Sequence, residues 1–87
     1  MYELIASRRF SRDLSRILKK SPQLESRLLK TLNLLMTNPS YPTLRLHKLS
    51  GLGANYSISV DMSIRIIINF DKDKIFLTRI GKHEDVY

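Results

Sequence analysis

The spacing of apolar residues changes partway along this chain, and that change limits the folds open to it. Phe10, Leu14, Ile17 and Leu18 fall at i, i+4, i+7 and i+8, and Leu24, Leu28, Leu32, Leu35 and Met36 continue at helical intervals. Beyond the turn-forming run Ser50-Gly-Leu-Gly53 the period becomes two: Tyr56, Ile58 and Val60 alternate with Ser57, Ser59 and Asp61. A helix brings one face round about every 3.6 residues and a strand every second residue. The chain must therefore join a helical part to a sheet. The pattern predicts a short strand over 2–6, a helix from Arg8 to Lys20 and a second helix ending near Thr37. Ser21 is expected to cap that second helix with Pro22 at its first position, and Asn38-Pro39 to end it. Extended chain follows over 44–49, then strands at 56–60, 64–70 and 74–80, the second being the most apolar and hence central. The expected fold is α+β in the order β-αα-βββ, a helical hairpin on one face of a small, mainly antiparallel sheet. Ser57, Ser59, Asp61 and Arg65 are expected on the sheet's open face.

At 87 residues the sequence reads as one domain over 1–87, burying about 60–65% of its unfolded surface. The absence of cysteine excludes disulfide and thiolate chemistry and fits a reducing cytoplasm. The first residues lack the apolar run of a signal peptide, and no segment is long enough to span a membrane. The net charge of +7 is unevenly placed. Residues 1–48 hold ten Lys and Arg against three acids, and residues 49–87 hold five against five. The excess lies in Arg8, Arg9, Arg12, Arg16, Lys19, Lys20, Arg27, Lys30, Arg45 and Lys48. Such a field attracts polyanions: nucleic acid first, an acidic protein second, an anionic membrane surface third.

Two histidines carry the clearest chemistry. His47 precedes the glycine turn, and His83 lies in a charged tail expected to follow a short turn at Gly81. Two imidazoles at one sheet edge suit metal-free RNA cleavage. One takes the proton of the ribose 2′-OH and the other protonates the departing 5′-oxygen. Lys48, Arg65, Arg79 and Lys82 are the cations available to stabilise the phosphorane. Tyr87 can stack on a base or anchor the tail. Against this stands the plain reading, that loop and tail histidines are ordinary surface. No paired ligand spacing suggests zinc, and there is no phosphate-binding glycine loop or nucleophile elbow.

The order of elements, with Phe10-Ser-Arg-Asp-Leu14, Asn38-Pro39, His47-Lys-Leu-Ser-Gly51, Tyr56-Ser-Ile-Ser-Val60, Ile64-Arg-Ile-Ile67 and Gly81-Lys-His83-Glu-Asp-Val-Tyr87, resembles RelE/ParE-superfamily toxins of bacterial toxin–antitoxin pairs. Within it the chain is most similar to the YafQ-like branch. The resemblance implies a ribosome-dependent mRNA endonuclease (an mRNA interferase) that needs no cofactor and is held inactive by an antitoxin. His47, His83 and Tyr87 then match active-site positions, and Arg65 matches a strand arginine that acts on phosphate. The basic helices, with Arg8, Arg9, Arg12, Arg16, Lys19, Lys20, Arg27 and Lys30, would grip ribosomal RNA. The expected partners are an antitoxin with an acidic or amphipathic segment, the ribosome with its mRNA, and operator DNA for the toxin–antitoxin complex. The sequence departs from the branch where Val60 and Ile64 stand in place of a histidine and an aspartate, and Ser57 in place of an arginine; Asp61 is one residue away. Two other readings follow: a ParE-like inhibitor that binds gyrase without catalysis, and an inert member that only binds its antitoxin.

Overall fold

The computed structural model describes residues 1–51 and 53–86. Strand β1 (Glu3–Ala6) leads into helices α1 (Arg8–Lys20) and α2 (Leu24–Thr37), and a 3-10 turn at Pro42–Leu44 follows. Strands β2 (His47–Lys48), β3 (Asn55–Ser59), β4 (Ile64–Asp71) and β5 (Lys74–Lys82) complete a five-stranded sheet, and a four-residue helix α3 (His83–Val86) ends the described chain. The strand order is β1-β5-β4-β3-β2, so β4 is central as the sequence suggested. Only the β1–β5 pair is parallel.

The helix boundaries follow from local chemistry. Ser7 is extended, and its Oγ accepts the Phe10 amide at 3.0 Å, which satisfies one of the unpaired donors of the first turn. Lys19 and Lys20 occupy the last turn of α1, where positive charge is favoured by the helix dipole. Ser21 does not cap α2 as expected. It closes α1 by giving its amide to the Ile17 carbonyl, while Gln23 precedes α2 without a side-chain cap. The Ser21 carbonyl then accepts the Leu24 amide at 3.0 Å, so the chain turns for two further residues before α2 begins. Asn38 ends α2 as anticipated, its amide on the Leu34 carbonyl.

One hydrophobic cluster joins the layers. Phe10, Leu24, Leu28 and Leu35 from the helices pack with Ile58, Ile66, Ile68, Ile75, Leu77 and Ile80 from the sheet. Edge-to-face contacts of Phe70 with Tyr2 and Tyr56 extend it at partly buried positions.

The other face differs from expectation in two respects. Ser57 is fully buried rather than wet. It lies in register between His47 on β2 and Ile67 on β4, and partners directly opposite in a sheet place their side chains on the same face. Ile67, only 7% exposed, belongs to the same row and lies outside the core cluster. Secondly, Gly81 is not a turn residue. It is paired with Arg65 inside β5, and the tail beyond it coils into α3, which packs on β4 and β5. A Cβ on Gly81 would lie 3.0 Å from Val86 Cγ1 and 3.6 Å from Asp85 Cβ. The absence of a side chain lets α3 settle onto the strand.

Strand β5 also contains a bulge. Arg79 faces Ile67 while Leu77 faces Ile68, leaving Thr78 as the extra residue, its Oγ1 donating to the Ile67 carbonyl at 2.9 Å. Register with β1 stops at Leu77. Past that point the exposed edge of β5 is satisfied by the start of α1. The Ser7 amide bonds the Leu77 carbonyl, Ser7 Oγ donates to the Thr78 carbonyl, and Asp13 Oδ2 accepts the Ile80 amide at 3.3 Å.

Candidate active site on the sheet face

The register places His47, Ser57, Ile67 and Arg79 in one row, and Ser59, Arg65 and Gly81 in the next, on the face away from α1 and α2. His47 and Arg65 are thus two strands and one row apart, about 12 Å between Cα atoms from the strand spacing and rise. Long side chains at that separation can both reach one nucleotide laid between them. His83 begins α3, two residues past Gly81, so it lies at the β5 end of the Arg65 row and is exposed. His47 and Arg65 thus share one face, and His83 borders it. Tyr87 is outside the described residues.

The proposed phosphate cations separate into groups. Arg79 is in the His47 row, but its Nε lies 3.3 Å from Asp13 Oδ2, an ion pair with a carboxylate that is 4% exposed. Lys48 pairs with Tyr56, and Lys82 with Ile64. Tyr56 and Ile64 belong to the helix side of the sheet, so both lysines fall on that side and not beside His47. Both are exposed at strand ends.

The two middle-strand positions that depart from the YafQ pattern are buried. Val60 and Ile64 are 5% and 9% exposed, belong to the core, and are joined by a bond from the Val60 amide to the Ile64 carbonyl. Asp61 does not substitute for the missing groups. Its Oδ1 accepts the amides of Ser63 at 2.8 Å and Ile64 at 2.7 Å and the Ser63 hydroxyl at 3.3 Å, fixing the turn between β3 and β4. Partial burial alone would raise its pKa, but these hydrogen bonds and the nearby Arg27 charge outweigh that and hold it below the ordinary carboxylate value. Asp61 thus contributes stability above about pH 4, which disappears as pH falls through its lowered folded value. Asp61→Asn should be less stable than wild type at pH 7 in urea unfolding, with the difference shrinking towards pH 3. An equal difference at both pH values would count against a charge effect.

All eight cations assigned to the helices are exposed. Arg8, Arg12, Arg16 and Lys19 follow one another at i, i+4, i+8 and i+11 and line a shallow groove of about 450 Å³ with Ser11 and Ser15. Arg9 turns towards Asp13, at 4.0 Å. Arg27 is a structural clasp: its Nε donates to the Val60 carbonyl at 3.0 Å and so ties α2 to the end of β3. Asp13 is the residue that sequence reasoning missed. Its only signal was an acid inside a basic helix, next to the apolar positions Phe10 and Leu14.

No family model matches the sequence, and no curated protein matches it. Solved structures do. A metal-bound toxin from Helicobacter pylori is 25% identical, with all of each chain covered and a TM-score of 0.85. YafQ in the E. coli DinJ–YafQ complex is 19% identical over 100% of this chain and 99% of that one, at a TM-score of 0.82. The YoeB dimer from Staphylococcus aureus is 17% identical over 94% and 97%, at 0.78. These values establish a shared fold from end to end. Among the described residues, no group of three or more His, Cys, Asp or Glu could hold a metal ion. Among the same residues no helix is long and apolar enough to cross a membrane.

Proposed function

We infer that this chain, which has the RelE-superfamily toxin fold and stands close to YafQ, is the toxin of a toxin–antitoxin pair and cleaves mRNA on the ribosome. One observation carries the reading: the strand register gathers His47 and Arg65 on the sheet face that α1 and α2 leave uncovered, with His83 at its border. An RNA strand laid there meets one imidazole from each side. One histidine removes the 2′-OH proton, the 2′-oxygen attacks the adjacent phosphorus, and the other histidine protonates the 5′-oxygen as its bond to phosphorus breaks. Arg65, and Arg79 held by Asp13, stabilise the charge on the phosphorane.

The ridge of Arg8, Arg12, Arg16 and Lys19 is the docking surface for ribosomal RNA, by neutralising phosphates. Reversing Arg12 and Arg16 to glutamate should lower co-sedimentation with ribosomes by about tenfold or more at moderate salt; unchanged co-sedimentation would remove α1 from the docking surface. The partner that silences the toxin is an antitoxin, as DinJ accompanies YafQ in the E. coli complex. Its acidic or amphipathic segment would neutralise the positive field, and the pair would act in the cytoplasm and bind operator DNA.

The test is induced expression, with primer extension on a reporter mRNA and on the same mRNA lacking its start codon. Cuts confined to the translated message support the nuclease. Growth arrest with no cuts points to a binding target such as gyrase. A binding-only reading draws on one observation, that Val60 and Ile64 are committed to the core; it predicts neither cuts nor arrest.

A further inference from the structure

At the end of the sheet where β3 turns into β4, the turn, the α2 surface and the Pro42–Leu44 segment enclose a groove of about 510 Å³. Arg27, Arg45, Ser59, Asp61, Met62 and Arg65 are among its lining residues. Its charges are unequal in availability. Asp61 is fixed by the donors of its own turn, and its nearby cation is Arg27, itself bonded to the Val60 carbonyl. Arg45 and Arg65 are not held by any carboxylate among the described residues. The groove therefore presents two uncommitted guanidinium groups.

Arg45 also has an unusual backbone. At φ 50° and ψ 48° it is left-handed, closing the 3-10 turn with its amide on the Pro42 carbonyl. A non-glycine residue adopts this region at a steric cost that glycine avoids, and a strained residue at a groove directs attention to what its side chain does. Met62, at the tip of the turn, is fully exposed. A lip of apolar surface beside two cations suits a nucleotide, which brings an apolar base with each charged phosphate. It suits a run of acidic side chains less well.

We propose that this groove is a subsite for the sugar-phosphate backbone of RNA, which takes the strand leaving the His47–Arg65 face. Arg65 belongs to both surfaces, so a strand crossing the face needs only to continue to reach Arg45. Arg45 and Arg65 grip successive phosphates, each guanidinium matching a pair of non-bridging oxygens, while the Met62 side chain supports a flanking base. The proposal rests on reading the sheet face as the RNA site.

Binding can be tested apart from cleavage with a short 2′-O-methyl oligoribonucleotide, which has no 2′-hydroxyl to react. Its anisotropy is followed against the full 87-residue chain over a range of salt. Arg45→Gly removes the guanidinium and leaves a backbone that glycine adopts freely. Lys72→Gly is the matched control: Lys72 also has positive φ, at 58°, in the turn at the opposite end of β4. The expected result is a loss of about fivefold in affinity and about 0.7 in the log–log salt slope for Arg45→Gly, with wild-type binding for Lys72→Gly. Equal losses in both variants would reduce the groove to a share of a diffuse field and overturn the proposal. Undiminished binding by Arg45→Gly, or no binding by wild type, would also overturn it. So would a poly-glutamate peptide that binds through Arg45 where the oligonucleotide does not, which would assign the groove to an acidic protein. If Arg45-dependent binding persists in a protein that cuts no translated mRNA, the nuclease reading fails and the subsite stands.

Discussion

Replacing His83 by alanine is expected to end growth arrest and to lower cleavage of translated mRNA by about a hundredfold or more, the usual contribution of a general acid or base. His83 is the first residue beyond β5, held near the Arg65–Gly81 row because α3 rests on a strand position that has no Cβ. Its neighbours in the row, Ser59, Arg65 and Gly81, supply a cation but no second imidazole or carboxylate. The substitution falls on an exposed residue of a four-residue helix that contributes nothing to the buried core. The variant should therefore still fold, with the circular dichroism spectrum of wild type. A folded variant with undiminished toxicity would sink the role assigned to His83. An unfolded one would show that the tail contributes to stability, and His83→Gln would then be the variant to assay for cleavage.

The largest effect on stability is expected at Asp13. Its carboxylate is 4% exposed and accepts from both the Arg79 guanidinium and the Ile80 amide, each at 3.3 Å. Asp13→Ala leaves a buried amide without an acceptor and a guanidinium without its counter-charge. Breaking a fully buried pair costs about 3–5 kcal/mol. Arg79 retains 30% exposure, so water recovers part of that, and about 2–3 kcal/mol is the expected loss. For a chain of this size that is roughly a 10–20 °C fall in melting temperature. Asp13→Asn keeps an oxygen for the Ile80 amide and should lose about half as much. If alanine melted with wild type, the carboxylate would not be what satisfies the edge of β5. Because Asp13 also orients Arg79, the asparagine variant assayed below its melting temperature should cleave more slowly while binding the 2′-O-methyl oligonucleotide normally.

Much of this fold was legible in the residue order because the controlling forces are local. The bounds of α1, the end of α2 at Asn38 and the centrality of β4 follow from apolar spacing and turn residues, which act within a few positions, whereas the start of α2 lies at Leu24 and not at Pro22. The errors arose where the deciding partner is far away in sequence. Ser57 looked like a solvent residue because its own strand alternates; it is fully buried, in register between His47 on β2 and Ile67 on β4. Gly81 looked like a turn because glycine often makes one; here it is the surface on which α3 rests. Asp13 looked like one charge on a wet helix, and no local signal shows that β1 ends short of β5 and leaves an amide for it.

The candidate site divides in the same way. Residue types and order singled out His47, His83 and Arg65 and the basic first helix, because proton transfer and phosphate binding need those groups whatever their geometry. Only the tertiary structure set Arg79 beside Asp13, separated Lys48 and Lys82 from the His47 row and put Val60 and Ile64 into the core. It also added Arg45, whose left-handed backbone and place beside Arg65 depend on a turn packed against the end of a sheet. Periodicity determines which side of a strand a residue takes; strand register and the ends of neighbouring strands determine what it meets there, because those contacts join residues distant in the chain.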